Sequence, residues 1–151
     1  MTYLLDVNVL VALVDPLHVH HGPAHGWFAA DGYQSWATCP ITQNGALRII
    51  GHSSYPNSPG SPAAVATVLA EFFKHAGHQF WTDEISLFDP TLVDITRLLA
   101  AKHVTDTYLL ALARKRGGRL ATFDRRLMTA AVTGGGDAIS FIGAATGQSG
   151  Q

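Results

Sequence analysis

Two apolar runs in this chain of 151 residues stop against an aspartate, and a third aspartate opens an apolar helix pattern. Tyr3-Leu4-Leu5 runs into Asp6, and Arg119-Leu120-Ala121-Thr122-Phe123 runs into Asp124. Asp106 stands at the head of Thr107-Tyr108-Leu109-Leu110-Ala111-Leu112-Ala113. An acid set against apolar sequence is costly to bury without a partner. Any one of the three is explained as well by a helix cap or an arginine pair. Together, on separate elements, they ask for one shared counter-charge, and a hard divalent cation meets that need.

The rest of the chain reads as strands alternating with helices. Residues 3–6 form a buried strand, followed by a helix Val9–Val14 that Asn8 can cap and Asp15-Pro16 stops. Residues 18–30 read as a helix with Trp27 and Phe28 turned to the core, and Ser35–Cys39 as a short strand. Pro40 then opens a helix to about Ile50, although Asn44-Gly45 is also a hairpin signal. Residues 51–62, rich in Gly, Ser, Pro and Asn, form a loop, and Ser61-Pro62 begins a helix through Phe73. Phe80-Trp81 and Ile85–Phe88 read as strands. Asp89-Pro90 starts a helix with Leu92, Ile95, Leu98 and Leu99 on one face. Residues 105–116 give the clearest helix, with Thr105 as cap; 119–123 a strand; 125–131 a short helix; and 138–142 a last strand. This order predicts an α/β domain, three layers with helices on both faces of a central, mainly parallel sheet. The domain spans 1–145, followed by a flexible tail of small polar residues, 146–151. In such sheets ligands bind beyond the carboxyl ends of the strands, where Asp6 and Asp124 fall.

Composition narrows the setting. Apolar residues make up 47% of the chain, enough for a filled core, while charged residues are only 14%, a surface that suits a covering partner. No apolar run approaches the ~20 residues that span a bilayer. The start, with an acid at position 6 and no base ahead of the apolar run, is not a signal-peptide pattern. Cys39 is the only cysteine, which fits a reducing cytoplasm. The net charge of −1 hides an asymmetry: residues 1–96 hold eight acids and two bases, residues 97–151 three acids and eight bases. Asp106 and Asp124 thus lie in a basic field. That field suits a polyanion bound through metal, although Arg114-Lys115-Arg116 also complements a helix end.

Magnesium takes oxygen ligands, commonly one or two protein carboxylates with several waters. Asp6, Asp106 and Asp124 can supply them directly or through water, and the reaction class implied is hydrolysis of a phosphodiester by metal-activated water. Asn8 can orient Asp6 as readily as it can cap a helix. Thr122 can hydrogen-bond Asp124 or a water. Arg48, five positions beyond Gln43 and so off its helix face, can reach a backbone phosphate or brace the fold.

Four segments carry a family resemblance: Asp6-Val7-Asn8-Val9-Leu10; Cys39-Pro40-Ile41-Thr42-Gln43-Asn44-Gly45-Ala46-Leu47-Arg48; Thr105-Asp106-Thr107-Tyr108-Leu109-Leu110-Ala111-Leu112-Ala113; and Leu120-Ala121-Thr122-Phe123-Asp124. In order and spacing they resemble the four motifs of PIN-domain ribonucleases, and more closely the VapC-type toxins of bacterial toxin–antitoxin pairs. The resemblance implies a PIN fold and an endoribonuclease that uses magnesium or manganese and leaves a 5′-phosphate and a 3′-hydroxyl. It implies Asp6, Asp106 and Asp124 as metal ligands, Gln43 as an assisting site residue, and transfer or ribosomal RNA as substrate. It also implies a homodimer and a cognate VapB-type antitoxin that pushes an arginine toward the acidic pocket. The family pattern usually has glutamate in the second motif, where this chain has Gln43. The missing charge weakens metal binding. Either three carboxylates suffice, or another acid such as Glu71 or Asp94 leans in, or the protein is a PIN-fold binder of RNA or antitoxin with weak or no activity.

Other signals are weaker. His21 and His25 have the spacing of helical zinc ligands, but Gly22 stands where the metalloprotease pattern has glutamate, and an exposed polar helix face explains them. Gly134-Gly135-Gly136 lacks the Lys-Ser/Thr of a phosphate loop and reads as a turn.

Overall fold

The structure, a computed structural model, describes residues 1–143. The residues from 144 onward, with the tail expected at 146–151, lie outside the described residues. Five short strands, β1 (Tyr3–Leu5), β2 (Trp36–Thr38), β3 (His78–Phe80), β4 (Arg119–Thr122) and β5 (Ile139–Phe141), form one sheet in the order β3-β2-β1-β4-β5. Every pairing is parallel. The two central strands pair Leu4 with Leu120 and Leu5 with Ala121, so Asp6 and Thr122 leave the sheet side by side.

Among the described residues five α-helices cover the sheet: α1 (Val7–Val14), α2 (His21–Ala30), α3 (Pro40–Ile50), α4 (Pro62–Phe72) and α5 (Val104–Lys115). Strand residues alternate between faces. Leu5 and Ala121 point into a core with Val9, Leu10, Phe28, Trp36, Ala46, Val65 and Leu69 from α1–α4 and β2. Leu4 and Leu120 point the other way, against Leu109, Leu110 and Leu112 of α5 and Trp81. This is the expected three-layer α/β arrangement. The Asn44-Gly45 pair stays inside α3, held by Pro40 in the first turn and a reciprocal cap between Cys39 and Thr42. Ser61 caps α4 by accepting from the Ala64 amide.

Several local expectations need correction. Asp6, not Asn8, caps α1: its Oδ1 accepts the Val7 amide at 2.8 Å, and Asn8 lies inside the helix on its exposed side. α5 starts at Val104 with His103 at the cap position, so Thr105 sits in the first turn. α2 starts at His21 rather than 18, and Trp27 is only half-buried while Phe28 is buried. Residues 85–88 form no strand and 89–99 no α-helix. Asp89 draws in the Thr91 amide and hydroxyl at 2.9 and 2.7 Å, and Asp94 does the same with Thr96 at 3.2 and 2.6 Å. Such side-chain turns compete with the helical ladder and win here. Residues 125–131 are not helical either: Asp124 Oδ1 accepts the Arg126 amide, and the Ala131 carbonyl is taken by the Asp94 amide at 2.8 Å. No helix among the described residues is long and apolar enough to cross a membrane.

Candidate active site

The carboxyl ends of β1 and β4 and the start of α5 meet at one edge of the sheet. Asp6 is placed there by β1 and is almost wholly buried, 7% exposed. Its two oxygens are both engaged. Oδ1 accepts the Val7 amide, and Oδ2 accepts the hydroxyl of buried Thr122 at 2.8 Å, across 116 residues of sequence. The same Thr122 oxygen accepts the Asp124 amide at 3.1 Å, so one hydroxyl ties the end of β1 to the turn that carries Asp124. Asp106 comes in from the first turn of α5, half-buried.

Asp6 and Asp106 both feel the acids beside them. Burial pushes the Asp6 carboxyl up to about 6; the Thr122 hydroxyl draws it down, and the charges of Asp106 and Asp124 add to the rise. Asp106 is raised too, first by burial and then by Asp124, with His103 opposing. Among the described residues the ion pairs are Lys74–Glu71, Arg97–Asp94 and Arg116–Glu84, so no base neutralises the trio. Nor do any three acidic, histidine or cysteine side chains among those residues close into a ready-made metal cage. The acids share a field rather than a tight ligand sphere. That suits a cation that keeps much of its hydration, as magnesium does. The donor set is all oxygen, uncompensated and partly desolvated, and so fits a hard divalent ion.

Beside Asp6 and Asp106 opens a cleft of about 320 Å³, lined also by Val7, Asn8, Asn44, Gly45, Arg48 and Thr105. The α3 wall of this cleft offers Asn44, Gly45 and Arg48 beside the apolar Ile41 and Ile49, and no carboxylate. Gln43 does not face it. Two positions along a helix turn a side chain by about 200°, and Gln43 instead donates its amide to Thr38 Oγ1 at 3.0 Å and borders a groove with Leu47, Ala66, Leu69, Ala70 and Phe73. The expectation that Gln43 assists the acids is not matched by its placement. Sequence reading missed Asn44, although Asn44 and Arg48 have the i, i+4 spacing of one helix face. Glu71 and Asp94 do not lean in. Glu71 pairs with Lys74 on the surface, and Asp94 closes its own turn and pairs with Arg97. Gly45 has a steric reason: a Cβ there would lie 3.0 Å from Val7 Cγ2, where α3 crosses the start of α1.

The His21 and His25 rings lie 4.3 Å apart with their planes tilted by 51°, and their ring nitrogens meet the Ala12 and Leu13 carbonyls at 2.7 and 3.2 Å. They satisfy the open end of α1 instead of holding zinc.

An all-parallel sheet with acids gathered where its central strands end defines the class. The PIN domain family model matches residues 3–132, and the chain belongs to that family. Its curated relatives include two Mycobacterium tuberculosis proteins, Ribonuclease VapC44 and Ribonuclease VapC39. VapC44 is 45% identical over 89% of this chain and 94% of its own length, and VapC39 is 43% identical over 89% and 96%. Among solved structures, M. tuberculosis VapC20, described as a sarcin-ricin loop cleaving toxin, superposes with a TM-score of 0.61 at 18% identity, over 87% of this chain and 96% of that one. A Rickettsia felis VapBC2 structure bound to a DNA fragment from its promoter gives 0.56 at 13%, over 83% and 90%. At those identities the likeness establishes the fold.

Proposed function

We propose that this protein is a magnesium- or manganese-dependent endoribonuclease toxin, silenced by a VapB-type antitoxin. The observation that carries this reading is the uncompensated acid trio at the sheet edge, with the Asp6 carboxyl lifted to about 6. Asp6, Asp106 and Asp124 would hold the metal. When bound, the ion polarises a phosphoryl oxygen and eases ionisation of the attacking water. The chain's own residues do the rest. Thr122 fixes the Asp6 carboxylate through its hydroxyl, and it fixes the Asp124 turn through that turn's amide. Arg48 brings a guanidinium to the cleft wall, where it can fork onto a non-bridging phosphate oxygen. Asn8 and Asn44 bring neutral amides to the same cleft, able to orient a water or a ribose hydroxyl. The products would carry a 5′-phosphate and a 3′-hydroxyl, from transfer or ribosomal RNA.

The named relatives support the ribonuclease reading, and the VapBC2 neighbour supports an antitoxin partner. A cytoplasmic homodimer completes the proposal. The test is incubation of purified protein with total RNA and magnesium, against Asp106→Asn. Discrete 5′-phosphate fragments from the wild type alone would support it; equal fragments from both proteins, or none from either, would overturn it. A second reading, a PIN-fold binder of RNA or antitoxin that does not cut, is favoured by the α3 wall, which gives the cleft no carboxylate. Manganese titration by calorimetry separates the two. Binding that Asp6→Asn abolishes favours the enzyme, and no carboxylate-dependent binding favours the binder.

A further inference from the structure

We infer that His20 and Phe123 form a stacking platform for an unpaired RNA base next to the scissile phosphate. This rests on the ribonuclease reading above and adds how the substrate strand is gripped. The two rings lie 4.8 Å apart and 28° from parallel. Phe123 is half-buried against the α1–α4 core and sits between Thr122, which bonds Asp6, and Asp124. His20 is exposed. Histidine is a poor choice for the cap position it occupies on α2, and its side chain makes no capping bond there. Its ring is spent on Phe123 instead.

The backbone that carries His20 is tied down on both sides. The His20 amide donates to His18 Nδ1 at 3.0 Å, the Leu17 amide to Asp15 Oδ1 at 2.9 Å, and His21 anchors the start of α2 to the Ala12 carbonyl. Strand order sets what lies on either side. α3, which follows β2, brings Arg48 to one flank of Asp6; β4 brings Phe123 and its histidine to the other. Beyond them Arg125 is held 5.0 Å over the Phe141 ring of β5. On that strand order, an RNA strand laid across the ends of β2, β1, β4 and β5 would pass a guanidinium, the acids, an aromatic face and a second guanidinium. Single-stranded RNA is gripped by that alternation: bases stack on aromatic or histidine rings while cations track the backbone.

The experiment uses the full chain carrying Asp106→Asn, so that RNA survives. Short single-stranded RNAs, each with one 2-aminopurine, report stacking by fluorescence quenching at one position. His20→Phe should keep both the quench and the affinity. His20→Ala should lose the quench and bind about tenfold more weakly, with an unchanged salt slope, because stacking releases no counterions. Thermal midpoints of all three proteins identify any loss caused by unfolding, and the His20→Phe arm decides if His20→Ala is unstable. A quench and affinity retained in His20→Ala, or a His20→Phe that has lost both while folded, would overturn the platform. Wild-type cleavage of RNA with no quench at any position overturns it alone; absence of both cleavage and RNA binding overturns the ribonuclease reading with it.

Discussion

Asp6 is held where its charge is unwelcome. Between the ordinary value of 3.8 and about 6 the folded chain keeps a proton that the unfolded chain has released. Stability therefore falls as pH rises through that window and stays reduced above it, by about 3 kcal/mol. Asp6→Asn keeps a competent cap and should melt higher than wild type at pH 7 without metal. The gap should close below pH 4, and saturating manganese should raise the wild-type midpoint only. Differential scanning calorimetry across pH checks all three outcomes. Thr122→Val removes the hydroxyl that draws the Asp6 carboxyl down, so the acid limb of the cleavage–pH profile should move to higher pH. The folded state should lose about 1–2 kcal/mol from the unpaired Asp124 amide. Gln43→Ala should leave cleavage within about twofold of wild type, because the side chain serves Thr38 rather than the cleft, and its cost should be a hydrogen bond of about 1 kcal/mol. A loss of activity comparable to that of Asp106→Asn would return Gln43 to the site.

At the scale of elements, a second buried carboxylate does a different job. Asp15 ends α1 and takes hydrogen bonds from the Tyr55 hydroxyl, the Asn57 amide at 2.7 Å and the Leu17 amide, fastening the 51–60 loop to the helix. Burial alone would lift this acid, but those donors outweigh it and hold it below the usual value. Its contribution is thus present above pH 3.8 and lost as acid protonates it. Asp15→Ala should cost roughly 1–3 kcal/mol at neutral pH, from three stranded donors. Chemical denaturation at pH 7 and pH 3 should show the gap shrinking in acid. The loop was legible from its Gly, Ser, Pro and Asn, but not its fastening, which joins residues 40 apart. The same division runs through the other elements. β1, β4, α3 and α5 carry strong local periodicity, and they lie close to where the pattern puts them. Residues 89–99 carry apolar spacing as good as a helix, yet Asp89 and Asp94 sit two residues before threonines and turn the chain into side-chain-bonded loops. Gln43 shows the limit at the site. A motif gives the order of residues, while a helix decides which of two near neighbours looks inward, and here the polar side chains that do so are Asn44 and Arg48.

The whole molecule joins an acid-rich first part to a base-rich last part. The active edge lies on that seam: Asp6 comes from the first, and Asp106, Asp124 and Arg125 from the second. The seam has a temporal meaning as well. The hydroxyl that braces Asp6 belongs to a residue 116 positions later, delivered only when β4 pairs with β1. A nascent chain leaving the ribosome without its last third has no β4, no brace for its first acid and only one member of the trio. Chains cut short before β4 by an interrupted round of translation are harmless on this account, because the brace and the full acid trio exist only once synthesis has passed Asp124 and β4 has been threaded into place.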